Sequence, residues 1–480
     1  MTILVIDIGT SGLRAAAVEP DATISHEVHR PLLPSSPEPG LVEFDASLLA
    51  STALELARGV LAEVGAVDAV GVANQRASTI VWDRATGEPV GPGIGWQDLR
   101  TVGTCLVLQA DGIHVAPNAS ATKVAYLLDL ADPGRERDLC VGTVDTWIAW
   151  HLSEGAAHIT DASNAAVTGL LHGDAAGWHD GVLEALRIPA STLPQVVDSS
   201  GLLGTATALD GSPPIASLIG DQQSSLVGQG CVSPGMAKIT FGTGGMLDLH
   251  LGEKRPAFER QGAGGCFPIV AWRRDGLTAW GVEAIMLSAG TNVEWLRDDL
   301  GIIDSAPASH DVAGKCETAD GVVYVPALLG LGTPQWDYGA RGTLLGLTRG
   351  SERPQIVRAV LEGVAQRGMD LVEAAEADTG LTIPTLRVDG GMSDNPTFLQ
   401  ALADATQRPV EVSPVREATT LGAAFLAGLA VGTWGGWDDI AATWRPRATV
   451  DPVRSFDRER WRMAIARAAE WFPELSSLKF

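Results

Sequence analysis

Apolar residues follow two rhythms along this chain. Residues 3–7 are a short apolar run closed by Gly9, and residues 13–18 resume it after a Thr-Ser-Gly turn, which predicts strand, turn and strand. Residues 46–64 instead place apolar side chains at helical spacing, with Ser47 the expected cap. A buried strand over residues 69–73 then delivers Asn74-Gln75-Arg76 at its end.

The same grammar returns in the second half. Residues 237–241 read as a strand, Gly242-Thr243-Gly244-Gly245 as a turn, and residues 246–250 as a returning strand. Two Gly-Thr hairpins point to a duplicated domain, with the boundary expected within residues 226–235 and the chain dividing into residues 1–228 and 229–480. Residues 355–377 predict one long amphipathic helix, and residues 386–388 a strand ending in Asp389-Gly390-Gly391. Residues 419–431 predict a helix of small residues packed closely on a neighbour. Strands alternating with helices predict α/β sheets with ligand sites at strand C-termini.

Composition narrows the picture. With 480 residues, 45% hydrophobic and 19% charged, 55 Gly and 27 Pro, the chain is globular and neither disordered nor fibrous. The formal charge of −24 leaves no diffuse basic surface for a nucleic-acid backbone, so an anionic ligand must rely on local N–H donors, an Arg or a metal ion. Cys105, Cys140, Cys231, Cys266 and Cys316 stand far apart without a C-x-x-C pair, which predicts reduced, buried thiols. The start lacks the marks of a leader, and the longest apolar stretch is too short to span a bilayer, so a soluble cytoplasmic protein without a membrane partner is expected.

Candidate chemistry gathers at the turns. Asp7 ends a strand beside Gly9-Thr10-Ser11-Gly12 and Arg14, which suits either a metal-bound phosphate or a plain hairpin with locally satisfied side chains. Asp221 follows the apolar run 215–219 and stands either as a base at a cleft mouth or as a helix cap. His26-Glu27-Val28-His29 misses the H-E-x-x-H spacing, and Gly314-Lys315 lacks the rest of a P-loop.

Taken together these pieces resemble the FGGY carbohydrate kinases, most closely their glycerol kinase branch. The resemblance runs nearly end to end through Ile6-Asp7-Ile8-Gly9-Thr10-Ser11, Asn74-Gln75-Arg76, Trp96-Gln97-Asp98, Gly142-Thr143-Val144-Asp145, Gly220-Asp221-Gln222-Gln223, Phe241-Gly242-Thr243-Gly244, Asp389-Gly390-Gly391 and Val415-Arg416-Glu417. It implies two actin-like (ribonuclease H-like) domains, each a mixed sheet flanked by helices, with ATP, Mg²⁺ and a small polyol or sugar meeting in the cleft between them. By the same resemblance Asp221 is the general base, and Asp7 with Asp221 serves the metal, Asp7 through its hydration shell. Thr10, Ser11, Gly12, Arg14, Gly242 and Thr243 match phosphate-contacting positions, and Gly290, Glu294, Gly391 and Asn395 match nucleotide-site positions.

Arg76, Trp96, Asp221 and Gln222 match acceptor-pocket positions, whereas Ala77 replaces an acidic residue, Asn118 a Tyr and Met246 a Phe. Those changes leave the acceptor open between glycerol, a tetritol or pentitol, and a ketopentose. Residues 210–214 carry no Arg, so the inhibition by a sugar bisphosphate that occurs in parts of the family is not expected here. Family members are commonly dimers or tetramers. A nucleotide-switched sugar-binding protein is the alternative from another class.

Overall fold

The computed structural model describes residues 1–416 and 418–478, so Glu417 of the Val415-Arg416-Glu417 motif lies outside the described residues. Its centre is a 13-stranded sheet. In chain order the strands are β1 (Ile3–Ile8), β2 (Gly12–Val18), β3 (Ile24–Pro31), β4 (Ala69–Asn74), β5 (Ser200–Thr205), β6 (Pro214–Gly220), β7 (Ala237–Phe241), β8 (Gly245–Gly252), β9 (Phe267–Arg274), β10 (Leu277–Met286), β11 (Leu386–Asp389), β12 (Val410–Val412) and β13 (Ala448–Val450). Their spatial order is β13-β12-β11-β7-β8-β10-β9-β5-β6-β4-β1-β2-β3.

Each half of that order repeats one plan. In the first, β3, β2 and β1 form an antiparallel meander, and β4 and β6 continue from β1 in parallel. In the second, β10, β8 and β7 form the meander, and β11 and β12 continue from β7 in parallel. The duplication expected from the two hairpins is therefore a duplication of whole sheets. The halves meet where β5 touches β9 at the pair Ser200 and Arg274.

Helices cover both faces. α1 (Ala46–Val64) buries Leu49, Ala53, Leu56, Ala57 and Val60 against β1 and β2, which is the face its apolar spacing predicts. Its cap is Asp45 rather than Ser47: Asp45 is extended and its side chain accepts the Leu48 N–H, whereas Ser47 lies inside the helix. α2 (Ala121–Ala131) belongs to a smaller apolar cluster beside the first sheet. α3 (Asp221–Gly228) springs directly from β6.

In the second half, α4 (Arg353–Thr379) extends the predicted helix by two residues at each end and closes with a capping box at its start and left-handed Gly380 at its finish. α5 (Pro396–Thr406) follows β11. α6 (Ala418–Val431) is the small-residue helix, and it packs chiefly on the first half rather than its own: its Ala423, Ala424, Phe425 and Ala427 join one core with Ile3, Val5, Ala69, Ala216 and Ile219, while Phe425 also meets Trp434 of the second half.

Small residues allow that contact. A Cβ on Gly422 would stand 1.8 Å from the Ser224 carbonyl oxygen, and one on Gly228 1.8 Å from that of Ala418, so α6 and α3 meet backbone to backbone. Cys105, Cys140, Cys231 and Cys266 are buried free thiols, as expected, and Cys316 is partly exposed.

Candidate active site

The sheet sets the chemistry-bearing residues at strand C-termini, where a doubly repeated α/β plan leaves a crevice. β1 ends at Asp7-Ile8, β4 at Asn74, β6 at Gly220, β7 at Phe241 and β11 at Asp389. From those ends issue the first turn, Arg76, Asp221, the second turn and the Gly390-Gly391 turn in that order.

The first turn, Gly9 to Gly12, is closed by the Gly9 N–H on the Gly12 carbonyl at 3.0 Å, leaving Thr10 and Ser11 at its tip. Asp7 is buried directly opposite Arg14 across the β1–β2 pair, and the Arg14 guanidinium reaches Glu27 at 3.3 Å. Thr10 Oγ1 accepts from the Trp96 indole at 3.2 Å, so the expected phosphate turn and the expected acceptor wall share a hydrogen bond.

The second turn, with Gly242 and Thr243, is tied to the nucleotide-site candidates. The Ala289 N–H donates to the Thr243 carbonyl and the Gly290 N–H to that of Gly242, each at 2.8 Å. A Cβ on Gly290 would lie 2.6 Å from the Gly242 oxygen, so glycine is needed for that approach. Glu294 stands exposed at the end of the short helix Thr291–Glu294. Gly391 opens the 3₁₀ turn after β11, and Asn395 caps α5 while donating to Ser309 Oγ at 2.9 Å.

Asp221 is the first helical residue of α3; the cap position belongs to Gly220, so Asp221 is not the helix cap that its sequence context equally allowed. Its Oδ1 accepts the Gln222 N–H at 2.8 Å and stands 3.5 Å from Arg76 Nε. Gly220 makes room: a Cβ there would meet Arg76 Cδ at 2.8 Å, so the arginine lies across the helix start. Burial raises the Asp221 carboxyl above the usual carboxylate range, while Arg76 and the Gln222 N–H pull it back. The result is a carboxylate at a helix N-terminus with one oxygen engaged, which is fit to accept a proton from a hydroxyl placed against it.

Around this pair lie charged residues that motif reading missed. Arg76 Nη2 meets Glu283 Oε2 of β10 at 2.7 Å, and its Nη1 donates to Gln223 Oε1 at 3.4 Å. Lys238 Nζ of β7 meets Asp248 Oδ2 of β8 at 2.7 Å and donates to Gln222 Oε1 at 2.8 Å and Thr240 Oγ1 at 2.9 Å. Burial drives the Glu283 carboxyl up to about 7, with Arg76 opposing and Asp248 reinforcing. Burial works against the Arg76 charge, yet Glu283 and Asp221 more than offset it and hold the guanidinium protonated. The available signal was a lone charge inside each apolar strand, at Lys238, Asp248 and Glu283.

The remaining acceptor-wall candidates are placed less centrally. Ala77 is buried with φ at 61°, and its carbonyl accepts from Ser120 Oγ at 2.9 Å. Asn118 stands exposed on the loop before α2, between two carbonyls, Pro117 and Ala119, that both accept from the buried Lys123 ammonium at 2.7 and 3.0 Å. Met246 of β8 is half-buried on the same strand face as Asp248. Among the described residues no three His, Cys, Asp or Glu side chains cluster as a metal cage, and no helix is long and apolar enough to cross a membrane. Carboxylates at strand ends, such as Asp7 and Asp221, suit Mg²⁺ as oxygen ligands, since that ion characteristically arrives with phosphates and keeps its waters.

Comparison with known proteins agrees with this geometry. The profile of the FGGY family of carbohydrate kinases, N-terminal domain, matches residues 2–228, and that of the C-terminal domain matches residues 237–431. A glycerol kinase of Aromatoleum aromaticum is 40% identical over 98% of this chain and 99% of its own, and one of Halorhodospira halophila 41% identical over 98% and 97%. Among solved structures, a Plasmodium falciparum glycerol kinase with ADP superposes with a TM-score of 0.90 at 28% identity, covering 97% of this chain and 98% of that one. A xylulose kinase from Brucella ovis superposes with a TM-score of 0.84 at 25% identity over the whole of both chains. Two matched domain profiles, full-length relatives and a site at the strand ends of a duplicated sheet lead to one conclusion: the chain belongs to the FGGY family of carbohydrate kinases.

Proposed function

We propose that this carbohydrate kinase transfers the γ-phosphoryl group of ATP to a terminal hydroxyl of glycerol. The observation that carries the reaction is the Asp221 carboxylate at the head of α3, one oxygen held by the Gln222 N–H and the Arg76 guanidinium alongside. Asp221 takes the proton of the attacking hydroxyl, Arg76, Trp96 and Gln222 orient the acceptor, and the N–H groups of the two turns hold the phosphates. Phosphoryl transfer asks for in-line positioning and charge neutralisation more than for a strong base, so a carboxyl raised by burial and held back by Arg76 and the Gln222 N–H suffices. Asp7 and Asp221 would hold Mg²⁺, which would neutralise charge on the transferred group. Glycerol as acceptor is supported by relatives of about 40% identity that bear that activity in their names.

Ala77 favours a second reading. With no side-chain carboxylate at this buried position, fewer hydrogen bonds reach the acceptor and more room is left, which suits a tetritol, a pentitol or a ketopentose. ADP release with ATP and Mg²⁺ over a panel of glycerol, erythritol, xylitol and xylulose decides: the highest kcat/KM with glycerol supports the first reading, and a preference for a longer acceptor supports the second. Asp221→Asn is expected to lower kcat by about 10²–10⁴ with nucleotide binding retained. Undiminished turnover would remove Asp221 from the chemistry, and silence of the unaltered protein across the panel would favour a nucleotide-switched binding protein.

A further inference from the structure

Three buried charges stand in one row across adjacent strands. Lys238 of β7 is paired in register with Asp248 of β8, and Asp248 in register with Glu283 of β10. Side chains directly across an antiparallel pair share a face, so the row lies on one face of the second sheet. The next row on that face is Thr240, Met246 and Ile285, and it contains the acceptor-wall candidate Met246. Lys238 and Asp248 have fully enclosed side chains and that of Glu283 is 7% exposed. Such a row is expensive to bury and contributes little net stability by itself.

Each end of the row grips a residue of the other family domain. We infer that Glu283 and Lys238 are positioning residues for the acceptor site, Glu283 fixing the guanidinium of Arg76 and Lys238 fixing the amide of Gln222. The inference rests on the reading of Arg76 and Gln222 as acceptor contacts and names what aims them.

Arg76 meets Glu283 at 2.7 Å but Asp221 at 3.5 Å and Gln223 at 3.4 Å, so its tight ion-pair contact is with Glu283. With Nη2 held by Glu283 and Nη1 donating to Gln223, the guanidinium stays beside the Asp221 carboxylate without closing tightly on it, and the second N–H of each terminal nitrogen remains for an acceptor hydroxyl. Gln222 is aimed by a simpler rule. An ammonium can only donate, so Lys238 Nζ at 2.8 Å requires the amide oxygen of Gln222, and the Gln222 NH₂ is turned away to donate to an acceptor hydroxyl. Asp248 and Thr240 hold Lys238 for that task.

The test is steady-state kinetics with ATP and glycerol varied separately, or xylulose should glycerol not be turned over. Glu283→Gln is expected to raise the acceptor KM about tenfold while the ATP KM stays within twofold, and Glu283→Asp to recover part of the loss. The double variant Lys238→Met with Asp248→Leu removes both charges together and is expected to raise the acceptor KM in the same selective way. In a cycle with Arg76→Lys, the Glu283→Gln change should add almost nothing further, because both act through one guanidinium. A purely structural role would move both KM values together or lower only the active fraction seen by thermal melting. Acceptor KM values within twofold of the unaltered protein in both Glu283→Gln and the double variant, with Arg76→Lys impaired, would overturn the inference. An unimpaired Arg76→Lys would instead overturn the underlying acceptor-site reading.

Discussion

Lys238 and Asp248 have no exposed side-chain surface, and that sets the cost of losing either one. Lys238→Met leaves a buried carboxylate without its partner and should cost about 3–5 kcal/mol, whereas adding Asp248→Leu should restore most of it. Denaturant unfolding of the two variants checks the sign and the recovery. His158 makes the corresponding case in a smaller core: its Nε2 lies 3.0 Å from the Val141 carbonyl, its Nδ1 faces Arg84, and its ring meets Trp82 edge-on. Burial pushes its pKa down to about 4, with Arg84 assisting and the Val141 carbonyl opposing. The unfolded chain therefore takes up a proton below about pH 6.5 that the folded chain refuses until about pH 4. Stability is lost across that window by up to roughly 3 kcal/mol, and His158→Gln should remove this part of the pH dependence. The comparison is the difference between the two proteins at pH 7 and pH 4.5, because the raised carboxyls of Asp145 and Asp161 bias both alike.

Elements were legible where a local pattern decides them. The apolar spacing of residues 46–64 gives the bounds of α1, and the two Gly-Thr turns locate both meanders. The cap of α1 was misplaced by two residues because Asp45 and Ser47 are both competent acceptors, and the backbone conformation that selects between them is not written in composition. The Lys238–Asp248–Glu283 row escaped motif reading for another reason. Each charge is visible in its strand, but what brings them together is register between strands up to 45 residues apart, counting 238 to 283. The helix of small residues was legible as closely packed, but not as packed on the first half. Gly422→Ala tests that contact: a Cβ 1.8 Å from the Ser224 oxygen forces α3 and α6 apart. A loss at the upper end of about 1–3 kcal/mol is expected, with turnover falling further than stability alone requires, because α3 begins with Asp221. Thermal melting paired with kcat measures both.

At the scale of the whole molecule, two copies of one sheet plan are joined edge to edge, and the candidate site residues come from both. A net charge of −24 does nothing to attract a nucleotide, so recognition has to come from short-range donors at the strand ends rather than from a long-range field. The two family domains are also interleaved: α6, from the last part of the second matched region, seals the apolar underside of the first sheet. That arrangement has a consequence for synthesis. A ribosome that has translated residues 1–228 has delivered the proposed acceptor residues Arg76, Trp96, Asp221 and Gln222, yet Ile3, Val5, Ala69 and Ile219 are still waiting for a cover that lies almost two hundred residues downstream. A nascent chain cut short before residue 418 is thus a client for chaperones and proteases rather than a slow enzyme, and a premature stop late in the message is as damaging as one in its middle.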